Sequence, residues 1–197
     1  GERLIGTVSS TTSTTIVISS STDPSAWTGS KKFVSKNLLA NPDFEASSTS
    51  HPHWDGINAA TLSLETADVK VNNQSLKVAY NGNGYEAAAQ TIDLGSATTR
   101  RFTLRGWRKK DSNAEKAYLH VWESSDGINW THVVNGIEVQ GAGDTNWFLI
   151  DYAFETTQRY IRIGGQIEDT DAPTGGYGLF DALQLYENKI ANPGLEL

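Results

Sequence analysis

The stretch "AYLHVWE", Ala117 to Glu123, decides the fold. Leu119 and Val121 alternate with Tyr118, His120 and Trp122, a period of two that puts aliphatic side chains on one face of an extended strand and rings on the other. Upstream, "FTLRGW" sets Phe102, Leu104 and Gly106 against Thr103, Arg105 and Trp107. Downstream, "RYIRIGGQIE" sets Ile161, Ile163 and Ile167 against Tyr160, Arg162 and Gln166. Further strands are predicted at 61–71, 75–80, 86–94, 132–139, 148–154 and 179–186, separated by the turn signals "NGNG", "SSDG", "GAGD" and "PTGG". No segment carries a capped repeat of 3.6 residues. The pattern predicts an all-β protein, a β-sandwich jelly roll with antiparallel sheets.

Composition agrees with thin sheets. Apolar residues are 38% of the 197 and aromatics 10%, while Gly numbers 18. Helical layers of this size carry more apolar residues. A formal charge of −7 argues against nucleic acid as a partner, since binders of phosphate backbones concentrate positive charge. The basic cluster of Arg100, Arg101, Arg105, Arg108, Lys109 and Lys110 reads as the edge of a sheet. No stretch approaches the ~20 apolar residues of a membrane helix, so no membrane insertion is expected. The absence of Cys removes disulfides, thiolate metal sites and cysteine nucleophiles. An acidic, Cys-free, Ser/Thr-rich chain suits a secreted or cell-surface protein of bacterial or viral type.

The chain also repeats itself. "NLLANPDFE" at Asn37–Glu45 returns as "NKIANPGLE" at Asn188–Glu196, 151 residues later. We read residues 37–187 as one module and 188–197 as the start of a following repeat, with neighbouring modules as partners. Residues 1–36 read as a Ser/Thr-rich connector or the end of an upstream domain. Within them, residues 7–22 hold 12 Ser or Thr in 16, which suits a solvated linker or an extended strand.

Chemistry is sought on the ring-bearing faces. The three strands put Trp107, Tyr118, Trp122 and Tyr160 beside Arg105, His120, Arg162 and Gln166, opposite their aliphatic residues. Rings beside polar donors suit sugars, whose C–H faces stack on indole and phenol while hydroxyls take hydrogen bonds. The same pattern fits a face covered by a second layer, where these residues form an ordinary second core.

Five motifs in order, "NLLANPDFE", "QSLKV" with "AAAQTIDL", "RFTLRGWRKK", "NWFLIDYAF" and "GLFDALQLYE", resemble the carbohydrate-binding modules of the four/nine/twenty-two (galactose-binding-like jelly-roll) group. The resemblance covers Asn37 to about Glu187. It implies a non-catalytic module that binds polysaccharide in a groove on a concave sheet. It departs from that group at Arg105, often Ser there, and at Gly106, where a bulky residue is commoner. The resemblance further implies a structural calcium held by Glu45 and Asp181, with Asp43 and the backbone of Asn72 to Ser75 as completions. Carboxylates from the first and last strands would then pin the termini. The alternative is that both carboxylates bond to backbone amides or Arg without metal.

Other constellations carry less. "HPHW" has too few partners for zinc. "SSDGINW" is a turn, and "EDTD" (Glu168 to Asp171) suits a solvated acidic loop. Glu86, Glu123 and Glu168 are the carboxylates a glycosidase pair would draw on, but no motif singles out two. The chain is expected to be no enzyme, though it suits a module of one. Its expected function is glycan binding by Trp107, Tyr118 and Trp122 as platforms. The competing function is a spacer module of a larger surface, phage-tail or toxin-like protein.

Overall fold

A computed structural model describes residues 36–82, 85–133, 145–168 and 175–188. Among the described residues ten strands form: β1 (Asp55–Ile57), β2 (Thr61–Glu65), β3 (Ser75–Ala79), β4 (Tyr85–Asp93), β5 (Arg100–Lys110), β6 (Lys116–Ser124), β7 (Thr131–His132), β8 (Phe148–Thr156), β9 (Tyr160–Glu168) and β10 (Tyr177–Glu187). They build two five-stranded sheets, β1-β4-β9-β6-β7 and β2-β3-β10-β5-β8, in which neighbours run antiparallel. The expected antiparallel β-sandwich is the fold found.

The period of two places the core. Leu119, Val121, Ile161, Ile163 and Ile167 of the first sheet face Leu76, Phe102, Leu104, Ile150, Phe154 and Phe180 of the second, all buried. Phe102 and Phe154 stack across neighbouring strands with centroids 5.3 Å apart. Gly106 lies on this inner face, where an added Cβ would overlap the Leu183 side chain. That contact explains why a bulky residue is absent there.

The opening motif docks the last strand. Asn37 Nδ2 donates to the Leu183 carbonyl at 3.0 Å, and Asn37 Oδ1 accepts from the Leu185 amide at 2.9 Å. Pro42 O accepts the Leu183 amide at 2.8 Å, where β10 bulges between Asp181 and Gln184 around Ala182, whose φ is 48°. Trp54 packs on Phe44 at 5.2 Å and donates its Nε1 to the Asn41 carbonyl.

Two strand limits differ from expectation. The strand predicted over 61–71 stops at Glu65, whose Oε1 accepts the amides of Thr66 and Ala67 and turns the chain. Of the strand predicted over 132–139, His132 ends β7 and residues 134–139 lie outside those described. The readings of residues 1–35 and 189–197 also fall outside.

Candidate functional site

The first sheet positions a groove on its outer face, with a volume near 510 Å³. One wall comes from β1 and its following turn, through Ile57 and Asn58, with Tyr85 at the start of β4. The other comes from β6 and β7, through Tyr118, Trp122 and His132. Lys116, Gln166 and Glu168 close one end. The centre is flattened by small residues. Gly164 leaves no space for a side chain, since an added Cβ would overlap the Ala88 carbonyl oxygen and come within 2.9 Å of the Ala89 Cβ. Ala87 and Ala89 pack with Trp122 in a second, smaller apolar cluster.

The expected single ring-bearing face is divided, and this is the main correction to the sequence reading. β5 pairs with β8 and β10, so Trp107 and Arg105 lie on the outer face of the second sheet, away from the rings of β6. Alternation along a strand fixes which residues share a face but not which sheet the strand joins. Trp107 is half-buried beneath the Lys70 ammonium, 4.2 Å from its ring centroid, and Arg105 faces Asp151 at 3.8 Å. The remaining basic residues of this strand are also engaged. Arg101 pairs with Glu155 at 2.7 Å and Lys109 with Asp68, while Arg108 is buried against Phe148.

The rings of β6 are together but closed, which corrects their assignment as open platforms. Tyr118 is 1% exposed, His120 4%, Trp122 8% and Gln166 4%. His120 lies on Trp122 with centroids 4.0 Å apart and an interplanar angle of 11°, so one indole face is already occupied. His132 meets His120 edge-on at 4.5 Å, and Tyr118 stands 5.7 Å from it on the other side. Burial, reinforced by His132, lowers the His120 pKa to about 3, so its ring is neutral at ordinary pH. Its Nδ1 is buried without a hydrogen-bond partner.

Arg162 and Tyr160 sit farther along β9. The Arg162 guanidinium lies 4.0 Å over the Trp130 ring, and partial burial lowers its pKa. Tyr160 is half-buried against Gly127 of the β6–β7 turn, with the Arg159 guanidinium 4.9 Å from its ring. That turn is held as expected: Asp126 accepts the amides of Ile128 and Asn129, both at 2.8 Å, and these bonds lower its pKa.

The sequence reading missed the groove's other walls. Tyr85, Lys116, Ile57, Asn58 and His132 gave no periodic signal, and Glu168 was placed in an acidic loop when it ends β9. Asp169 to Asp171 lie outside the described residues. Lys116 meets Glu168 Oε1 at 3.2 Å, and this bond raises the lysine pKa. The Tyr118 hydroxyl donates to Glu168 Oε2 at 3.5 Å and accepts from Gln166 Nε2 at 2.6 Å. The three carboxylates considered for hydrolysis do not share a cleft. Glu86 and Glu123 have the parity of the inner face, with Ala88 and Val121, while Glu168 has that of the outer.

Glu45 and Asp181 clasp one turn between β2 and β3. Glu45 Oε1 accepts the amides of Asn73 and Gln74, each at 2.8 Å. Asp181 Oδ2 accepts those of Lys70 at 2.9 Å and Val71 at 2.7 Å. Burial raises the Asp181 pKa to about 6, against the pull of the Val71, Lys70 and Ala182 amides and with the push of the Glu45 charge. Asp181 Oδ1 and Gln74 Oε1 are buried oxygens without hydrogen-bond partners. Unsatisfied oxygens beside two carboxylates fit a hard cation. Among the described residues, however, no three His, Asp or Glu gather as a metal-holding group. Asp43 instead receives the Glu45 amide at 3.5 Å. A cation here would draw its other ligands from backbone oxygens and water.

No protein-family model matches the sequence, and no curated protein matches it. Solved structures do. The CBM22-1 xylan-binding domain of Paenibacillus barcinonensis Xyn10C is 15% identical with a TM-score of 0.55, covering 74% of this chain and 90% of its own. TmCBM61, solved with beta-1,4-galactotriose, is 18% identical with a TM-score of 0.52, covering 78% and 99%. The enzymatically active domain of Bacteriophage CBA120 tailspike protein 4 is 14% identical with a TM-score of 0.54, covering 77% of this chain but 21% of its own. The chain has the β-sandwich fold of carbohydrate-binding modules.

Proposed function

We propose that the protein is a non-catalytic, extracellular module that binds polysaccharide in the groove on the outer face of β4, β9 and β6. The observation that carries this reading is the groove's lining, in which aromatic Tyr85, Tyr118 and Trp122 stand beside the hydrogen-bonding groups of Asn58, Gln166, Glu168 and His132. Apolar rings supply contact area and a few fixed polar groups supply orientation, which is how small polar ligands are held. The fold shared with xylan- and galactotriose-binding modules supports it. The closed rings of β6 make the floor of the groove rather than open platforms.

The test is titration of the whole chain with soluble xylan, β-1,4-galactan, hydroxyethyl cellulose and polygalacturonate, followed by tryptophan fluorescence and calorimetry. Saturable binding of any one is expected, and flat titrations for all four would remove the reading. A second reading, a spacer module whose rings pack against neighbours, draws on the burial of Tyr118, His120 and Trp122 and on the fold's occurrence in a tailspike. It requires that no sugar bind.

At the opposite sheet, Glu45 and Asp181 are the residues that would hold a structural calcium. Bound there, the ion would supply positive charge to two carboxylates that the fold brings to one turn, with Asp181 Oδ1 and Gln74 Oε1 as waiting donors.

A further inference from the structure

We propose that Tyr85 and the carboxylate of Glu168 form the principal sugar subsite of this groove, with Tyr85 as the stacking ring and Glu168 as the acceptor of two neighbouring hydroxyls. The inference rests on the glycan-binding reading and goes beyond it by naming residues that ring alternation along β6 does not reveal.

Register brings the parts together. Tyr85 of β4 lies opposite Glu168 of β9, and Glu168 lies opposite Lys116 of β6, so the three form one row across the sheet at the groove's end. Tyr85 is 48% exposed, whereas Tyr118 and Trp122 are 1% and 8% exposed. Among the described residues the other exposed large apolar side chain, Ile128, sits in the β6–β7 turn outside this row. Tyr85 is therefore the phenol or indole ring of the groove with area to offer a ligand. Its backbone is fixed, since its carbonyl accepts Asn58 Nδ2 at 2.7 Å.

Glu168 is held from behind. Gln166 donates to the Tyr118 hydroxyl, that hydroxyl donates to Oε2, and Lys116 faces Oε1. Packing fixes the first two members of this relay, and the glutamate side chain keeps 14% of its surface. A carboxylate fixed in this way needs little reorganisation on binding and has lone pairs left on both oxygens. A pyranose whose C–H face covers the Tyr85 ring turns its hydroxyl edge across β9, toward Glu168 and the Lys116 ammonium. The ligand class is a pyranose-containing glycan with two adjacent free hydroxyls.

The experiment is calorimetric titration of the full chain with xylan, β-1,4-galactan and hydroxyethyl cellulose. It compares wild type, Tyr85→Ala, Glu168→Gln and, on the second sheet, Arg101→Ala. Tyr85→Ala and Glu168→Gln are expected to weaken binding about tenfold or more, while Arg101→Ala stays within about twofold. Thermal melts check that each variant folds, and Tyr85→Ala carries the test alone if Glu168→Gln does not. Wild-type binding that survives both changes would overturn the subsite and leave the groove reading standing. Absence of wild-type binding would remove both.

Discussion

Replacement of His120 by Phe should remove a large part of this protein's sensitivity to acid. The imidazole is 4% exposed, stacked on Trp122, with its Nδ1 unpartnered and its pKa lowered from 6.5 to about 3. The unfolded chain therefore takes up a proton near pH 6.5 that the folded chain refuses until about pH 3. Stability contributed by the neutral ring is complete above pH 6.5 and is lost as the pH falls through that window. At pH 4 the loss is roughly 3 kcal/mol, approaching about 5 kcal/mol at the lower limit. For a module of this size that is a fall in Tm of roughly 6–12 °C at pH 4. The titratable group in contact with His120 is His132, which meets its ring edge-on, while Arg162 lies opposite Trp122 on β9. Both are kept in the variant, so the difference between the two proteins isolates the one ring. Phe retains a planar stack on Trp122 and removes the unpaired nitrogen. Urea unfolding at half-unit steps from pH 4 to 7.5 measures both profiles. Parallel profiles would refute the reasoning, because they would mean that His120 protonates in the fold at no cost.

Three further outcomes are expected. Trp122→Ala should destabilise by about 3–5 kcal/mol, since it empties the cluster with Ala87 and Ala89 and unstacks His120; a loss of sugar binding without a fall in Tm would contradict this placement. Gly164→Ala should cost about 3 kcal/mol and Gly106→Ala about 1 kcal/mol, because the first overlaps a backbone carbonyl and the second mainly a movable Leu183 methyl; the reverse order in urea unfolding would show the packing to be misjudged. If Glu45 and Asp181 hold calcium, saturating ion should raise Tm over chelator by roughly 5–10 °C at about a hundredfold excess over Kd, and Asp181→Ala should abolish the difference. Equal melts with and without chelator would discard the ion.

Much of this protein follows from alternation read along single strands. The aliphatic members of "FTLRGW", "AYLHVWE" and "RYIRIGGQIE" are the core residues of β5, β6 and β9, because a strand with one buried face has no other way to arrange them. The link between the opening motif and the last strand was also legible. Glu45 and Asp181 do reach one turn, and Asn37 clamps Leu183 and Leu185. Asp43 accepts the Glu45 amide, a local contact across two residues.

By itself the sequence determined the class of fold and the inward faces of β5, β6 and β9, since both depend only on local periodicity. Only the tertiary structure decided that β5 joins a different sheet from β6 and β9, which carries Trp107 and Arg105 away from the groove. It also decided that Tyr118, His120 and Trp122 are closed while Tyr85 is open. Sheet membership and cover depend on contacts between distant segments, and a period of two carries no record of which strand lies beside which.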